Sequence, residues 1–371
     1  MEGLGEYGYS AKIDSQGRII VVGYRNTGSD ELLVIYRFLE NGSLDRSFGY
    51  GDSSVADGVQ VWGSELGFNS PKVKGHDLII DSGGRIVVVG TSGEDSEPPM
   101  LTLWRFMPNG DIDFTFANGS SRISSVKPFQ DAQGRFSLVS DELDGYYVVG
   151  QGDPNGGARP AVKHFDELGA LDEGFAFNPA AVAYATGAGG ASRVTLDANG
   201  GLLVCGNRET GGEAFHQVPI VFRLNSNGTL DETFDSDGVL EIPFKADGSD
   251  DTWRVVSATD IVLDSWGNMI VAGRGMDIIV GNPLLVPTIY STFVWKFTAE
   301  NVLEESFGVD GEFFLGPVSS GYGDKFYPAN RIALDSFGRI LLAGQTQLSP
   351  ELYNEANVLI KMVDMSLIRI K

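Results

Sequence analysis

Short apolar runs, each bounded by Gly, Asp or Asn, recur along the chain, and apolar residues almost never return at helical spacing. The clearest pair is Ile13-Asp14-Ser-Gln-Gly17-Arg18-Ile-Ile-Val-Val-Gly23 and Ile80-Asp81-Ser-Gly-Gly84-Arg85-Ile-Val-Val-Val-Gly90. Leu196-Asp197-Ala-Asn-Gly200, Leu263-Asp264-Ser-Trp-Gly267 and Leu334-Asp335-Ser-Phe-Gly338 begin the same phrase and lead through apolar runs to Gly206, Gly273 and Gly344. A weaker copy, third in chain order, runs from Asp141 through Gly145 to Gly150, read as a turn one residue longer and a strand one residue shorter. Asp131-Ala-Gln-Gly134-Arg135 lacks the closing Gly and reads as an extra hairpin turn, so six copies result.

A second phrase follows the first five copies: Asn41-Gly-Ser-Leu44-Asp45-x-x-Phe48, then Asn109 to Phe116, Leu168 to Phe175, Asn227 to Phe234 and Asn301 to Phe307. Strand-like runs such as Leu32 to Phe38, Pro219 to Leu224 and Thr292 to Phe297 lie between the phrases. Each unit therefore predicts four strands. Strand A precedes the Asp-x-x-Gly turn and B follows it. Strand C carries a basic residue (Arg37, Arg105, Lys163, Arg223, Lys296, Lys361), and D follows the Leu-Asp phrase. Ser10 to Ile13 is expected to form the first strand and Met365 to Lys371 the last outer one.

Four antiparallel strands recurring at a fixed period are the signature of a propeller blade. The prediction is an all-β chain, 1–371, forming a single β-propeller of about six four-stranded blades, with a seventh, eroded blade as the alternative count. The repeat units fall at approximately 9–72, 73–130, 131–190, 191–256, 257–328 and 329–371. The two phrases resemble the delta-60 repeat, over nearly the whole chain from Tyr9 to about Lys361. That resemblance implies a bacterial propeller, often part of a large exported protein, and brings no catalytic signature with it. The chain departs from the pattern in its third unit, at Asn301-Val-Leu-Glu304 and in its C-terminal ending.

A net charge of −23 argues against a nucleic-acid partner, because phosphate binding needs a basic surface. Cys205 is the single cysteine, so no internal disulfide forms, and its apolar strand predicts a buried thiol. Met1-Glu-Gly-Leu-Gly-Glu-Tyr7 has neither a basic segment nor an apolar core, so no signal peptide is expected, and no apolar run is long enough for a membrane span. An extracellular or cell-surface setting is expected from the resemblance alone.

The recurring Asp-x-x-Gly turns invite a metal reading, yet Asp accepting backbone N–H groups and Gly at positive φ are what a tight hairpin needs. Asn225 to Asp231 with Asp235-Ser-Asp237, and Asn109-Gly-Asp111-Ile-Asp113, partly match calcium loops, leaving Ca²⁺ as the one candidate ion, and no cofactor is expected. Gly248 to Trp253 imitates the Asp-box of sialidases with its Gly misplaced. His76, His164 and His216 lack zinc spacing, and neither a nucleophile elbow nor a phosphate loop is present.

The A–B and C–D turns are stereotyped whereas the B–C loops and D–A crossovers vary, so the variable face is the expected binding surface. Its candidate ligand-binding residues are Trp62, Phe215, His216, Trp253, Arg254, Tyr290, Tyr322, Tyr327 and Tyr353, with Phe68 and Phe326 beside them. Aromatic rings beside carboxylates and amides suit a glycan or protein ligand. These features predict a non-enzymatic recognition or adhesion module without a catalytic residue. The alternatives are a propeller hydrolase or lyase using central acids such as Asp247, Asp250, Asp251, Asp277 or Asp324, and a structural spacer.

Overall fold

The computed structural model describes residues 5–49, 57–63, 71–94, 100–119, 122–124, 136–152, 159–182, 189–209, 217–243, 252–279, 289–315, 325–347 and 363–370. Among them the only helical elements are 3₁₀ turns at Phe116–Gly119 and Pro179–Ala181. The strands group into two compact units, Met1–Phe177 and Asn178–Lys371. The first unit holds three antiparallel sheets. They are β1 (Gly5–Ile13), β2 (Ile19–Asn26), β3 (Glu31–Phe38) and β4 (Val59–Trp62); β5 (Lys74–Ile80), β6 (Ile86–Ser92), β7 (Met100–Phe106) and β8 (Arg122–Ser124); and β9 (Ser137–Ser140), β10 (Tyr146–Gln151) and β11 (Pro160–Phe165).

The second unit repeats the plan with β12 (Gly189–Leu196), β13 (Leu202–Glu209), β14 (Gln217–Leu224) and β15 (Val239–Glu241); β16 (Thr252–Leu263), β17 (Met269–Ile279), β18 (Ile289–Phe297) and β19 (Glu312–Leu315); and β20 (Lys325–Leu334), β21 (Ile340–Gln347) and β22 (Val363–Ile370). Its first two sheets also touch through one parallel bridge, Gln217 to Val255. The C-terminal strand β22 pairs with β21 as the third strand of its sheet, where the sequence pattern places an outer strand.

Within each unit the second strand of the middle sheet is buried on both faces, which explains its uninterrupted apolar run. Ile86 and Val88 pack with Ile20, Val22 and Ile35 of the first sheet, while Val87 and Val89 pack with Leu138, Tyr146 and Val148 of the third. In the second unit Val271 joins Cys205 and Val221, whereas Ile270 and Ala272 join Ile332 and Leu342.

The first-phrase turns are closed by their aspartates. Asp14 Oδ1 accepts the N–H groups of Gln16 and Arg18, each at 2.9 Å, and Gly17 turns the chain at φ +76°. Asp81, Asp197, Asp264 and Asp335 repeat the arrangement. The third copy is neither longer nor shorter than the others: Asp144 takes the positive-φ position at +60°, and Asp141 accepts from Leu143 and Gly145. The second carboxylate oxygen pairs with the residue after the turn glycine: Arg18 at 2.7 Å, Arg85 at 2.6 Å, Asn268 at 2.8 Å, and Arg339. Where that residue is itself Gly, the strand C side chain crosses over instead: Arg223 reaches Asp197 at 2.6 Å and His164 reaches Asp141 at 3.0 Å. A Cβ on Gly201 would lie 2.5 Å from Arg223 Nε, so the glycine clears the path.

The Asp of the second phrase holds the strand C cation, as with Asp45 and Arg37 at 2.8 Å, Asp113 and Arg105 at 2.7 Å, and Asp231 and Arg223 at 2.8 Å. Register corrects two of the basic positions. His164, not Lys163, lies opposite Tyr147 as Arg37 lies opposite Ile20, and its Nδ1 meets Asp172 at 2.9 Å. Arg369 lies opposite Leu341 in the last sheet, while Lys361 falls outside the described residues. Arg37 continues to the Pro108 carbonyl of the next sheet at 2.6 Å, and buried Phe48 packs there so closely that a Cβ on Gly110 would lie 2.9 Å from its ring. In the segments with calcium-loop spacing, Asn109, Asn227 and Asp237 accept from the amides of Asp111, Thr229 and Val239.

Strand A carries a bulge opposite the strand B glycine. Register slips at Gly8/Ser10 opposite Gly23, at Gly75/Asp77 opposite Gly90, and at Ala191/Arg193 opposite Gly206. At these glycines an added Cβ would lie 1.7, 1.8 and 1.9 Å from the carbonyl oxygens of Tyr7, Lys74 and Gly190. Close approach of backbone, with no positive φ, fixes these positions as Gly.

Gly90→Val is expected to destabilise the protein by about 3 kcal/mol or more in urea denaturation, while exposed Asn199→Ala stays within about 0.5 kcal/mol; equal effects would remove the bulge argument. A second expectation concerns acid. Burial opposes ionisation of Asp45 and Asp113, but hydrogen bonds from Ser47 and Thr115 and the facing arginines outweigh it, so both carboxyls lie below their ordinary range. Their contribution is therefore complete above the unfolded carboxylate pKa of about 4 and is lost as pH falls through the lower folded values. The urea midpoint should drop steeply below about pH 4, and a flat midpoint down to pH 3 would contradict it.

Candidate functional site

At four of the bulges the residue just past the bulge, Ser10, Asp77, Arg193 or Asp260, points its polar group at a neighbouring sheet. In the first unit Asp77, fully buried, accepts from Ser10 Oγ at 2.5 Å, Ser137 Oγ at 3.0 Å and the Leu138 amide at 3.3 Å. In the second unit Asp260 accepts from the Ile332 amide at 3.0 Å and pairs with Arg193 Nε at 3.2 Å. Ser10, Asp77, Ser137, Arg193, Asp260 and Arg331 lie opposite Val22, Val89, Val149, Cys205, Ala272 and Ala343, the residue before the strand B glycine in every case. Cys205 is fully buried there, and burial together with the nearby Asp260 charge pushes its thiol well above the usual range, so it stays protonated and inert.

The bulged residues of the first unit are aromatic, and they meet. Tyr9 meets His76 edge-on with ring centroids 5.6 Å apart, and His76 stacks on Phe136 at 5.6 Å. Tyr24 extends the row, tilted against Tyr9 at 5.8 Å and stacked on Tyr7 at 4.8 Å. The row grades from buried Phe136 and His76, 6% exposed, to Tyr7, 41% exposed. Bulges re-aim side chains in this way beside functional sites.

Charged groups border the row. Lys74 Nζ sits 4.7 Å above the Tyr24 ring and 2.8 Å from Glu31, and Arg25 binds Glu6 at 2.7 Å. Burial and the neighbouring Tyr9 and Glu31 raise the Tyr24 phenol, while burial and the bond to Glu6 push Tyr36 up to about 12. Tyr24 and Tyr36 therefore remain neutral hydrogen-bond donors at physiological pH.

The sequence-derived candidates lie elsewhere. Trp62 ends β4, packs against the core between the first two sheets with its ring 5.9 Å from Phe106, and its buried indole N–H has no partner. Trp253, Arg254, Tyr290 and Tyr327, expected on loops, belong to strands β16, β18 and β20. Arg254 pairs in register with Asp277 and Tyr290 with Met276. Phe68, Phe215, His216, Tyr322, Tyr353, Asp247, Asp250, Asp251 and Asp324 fall outside the described residues, and Phe326 lies on β20. The signal that would have exposed the bulge residues is a polar side chain four positions before each turn aspartate, the pairs being Ser10 and Asp14, Asp77 and Asp81, Ser137 and Asp141, Arg193 and Asp197, Asp260 and Asp264, and Arg331 and Asp335.

Residues 15–48, 84–116 and 198–234 match a family described as a domain of unknown function (DUF5122) β-propeller, which supports a β-propeller repeat family for this all-β chain. Among solved structures the chain is similar to a polysaccharide lyase of family PL25, an ulvan lyase, at 11% identity over 79% of this chain and 68% of that one, with a TM-score of 0.47. It is also similar to an α-L-arabinanase from Penicillium chrysogenum complexed with arabinobiose, at 10% identity over 91% and 88% of the two chains and a TM-score of 0.49. A protein of unknown function from Dyadobacter fermentans gives 10% identity over 93% and 92%, also with a TM-score of 0.49. A comparison with curated proteins gave no match. The likenesses are too distant to assign chemistry. The expectation of a non-enzymatic adhesion module is not supported by them, the activities in their names being lyase and arabinanase. No helix among the described residues is long and apolar enough to cross a membrane.

Asp77→Asn keeps the size of the buried side chain but replaces one acceptor oxygen by an NH₂ donor, which then faces a group that donated to the carboxylate. A loss of about 1–3 kcal/mol is expected in urea denaturation. Asp30→Asn, at a half-buried position in the loop between β2 and β3, is expected to change stability by less than about 0.5 kcal/mol, and equal losses at the two sites would show that the buried network carries no special weight.

Proposed function

We propose that this chain is a carbohydrate-active β-propeller enzyme whose site is the aromatic row of the first unit. The observation that carries the reading is the ring contact between Tyr9 and His76, two side chains able to exchange protons, brought together by two separate bulges. Tyr7, exposed at the end of the row and backed by Tyr24, offers the ring face on which a sugar stacks, and Lys74 supplies a cation beside it. The carboxylates bordering the row are engaged, Glu6 by Arg25 and Tyr36, Glu31 by Lys74, and Asp77 by Ser10 and Ser137. A phenol and an imidazole therefore favour elimination over two-carboxylate hydrolysis. In that reaction one of them removes the C–H proton beside a sugar carboxylate, the electron pair forms the C=C bond as the glycosidic C–O bond breaks, and the other protonates the leaving oxygen.

The finer fold assignment belongs to the same reading: the six sheets are six blades of one propeller, the delta-60 repeat its unit, and a polysaccharide substrate suits an exported bacterial protein. The equivalent registers in all six sheets support the blade count. The test is incubation with uronate-containing and neutral polysaccharides, following the ultraviolet absorbance of unsaturated ends and, separately, new reducing ends. Tyr9→Phe and His76→Gln should each lower the rate by about 100-fold or more with little change in melting temperature. New reducing ends without ultraviolet absorbance would indicate hydrolysis instead, and full activity of both variants would remove the site.

A further inference from the structure

The second unit carries a different aromatic surface, on the turns rather than at the bulges. Trp266 and Phe337 occupy the same position of the first-phrase turn in adjacent sheets, with side chains 78% and 79% exposed. The turn asks nothing of that side chain: its backbone amide alone binds the turn aspartate, at 2.9 Å in both cases, and the equivalent residues elsewhere are Gln16, Gly83, Leu143 and Asn199. Arg339 lies 4.8 Å from the Phe337 ring centroid and covers one face of it, yet both rings stay largely in water, against the tendency of large apolar groups to be buried.

The surface is built from neighbouring pieces. In the first unit the corresponding turns of adjacent sheets touch directly, the Ser82 amide donating to Asp144 at 3.2 Å, so turns at this position are neighbours. Val302, 61% exposed, extends the surface from the second-phrase turn of the Trp266 sheet. That turn is tied to the Trp266 turn by the Ala299 amide, which donates to Asn268 Oδ1 at 3.1 Å. Ser265, Ser336, Glu300 and Glu305 are exposed around the rings. Apolar rings interspersed with hydroxyls and carboxylates match the alternating C–H and O–H surfaces of a sugar chain, whereas a protein partner favours an apolar patch without such polar breaks.

We infer that Trp266 and Phe337 form a second, non-catalytic contact for a polysaccharide chain, one sugar stacking on each ring. This contact rests on the carbohydrate reading above but not on its reacting residues. Native electrophoresis through gels containing arabinan, xylan or alginate tests it, together with iodide quenching of tryptophan fluorescence. At least one polysaccharide should retard the protein and shield Trp266 from iodide. The variants Trp266→Ala and Phe337→Ala should weaken retardation about 10-fold or more, whereas Tyr9→Phe with His76→Gln should be retarded like the parent. Retardation that depends on Trp266 in a protein cleaving no polysaccharide would uphold this contact and sink the proposed enzyme. No retardation by any of the three, unchanged retardation of Trp266→Ala, or a concentration-dependent dimer abolished by Trp266→Ala would each overturn the inference.

Discussion

A backbone carbonyl pressed against a glycine is the contact on which the remaining arrangement depends. At three strand A bulges the carbonyl of Tyr7, Lys74 or Gly190 occupies the space a side chain on Gly23, Gly90 or Gly206 would need. The bulge inserts a residue, and the side chains after it change their aim. One consequence is the meeting of Tyr9 and His76, which Phe136 of the third sheet extends; the other is the polar residue next along, which reaches the adjoining sheet. Scaffold and candidate site are two outcomes of one irregularity.

The sheets themselves were legible because their signals are local. Asp14, Gly17 and their counterparts close turns within five residues of chain, and short apolar runs between them mark the strands. The strand C positions show where local reading fails. Lys163 and His164 are adjacent, and only register with Tyr147 shows which one faces the two aspartates. The third turn misled for a related reason: Asp144 adopts a backbone conformation that composition assigns to glycine.

The candidate site was less legible because it joins residues far apart in sequence. Tyr9, His76 and Phe136 come from three repeats, and nothing in any one repeat distinguishes them from ordinary strand aromatics. Variability led instead to loops, yet Trp253, Arg254, Tyr290 and Tyr327 turned out to belong to lengthened strands. Apolar and aromatic residues extend a hairpin as readily as they decorate a loop, so variable length alone does not separate the two.

In each unit a single carboxylate, Asp77 or Asp260, sits in the middle sheet and draws donors from the sheets on either side. Such an order resists gene-level copying of one repeat. Duplicating the middle sheet would set two buried carboxylates face to face, and duplicating an outer one would set its polar residue beside a copy of itself with no carboxylate between them. Growth or shrinkage of this array therefore needs a compensating substitution at the residue four places ahead of the turn aspartate, and that position is where lineages with different repeat numbers should diverge first.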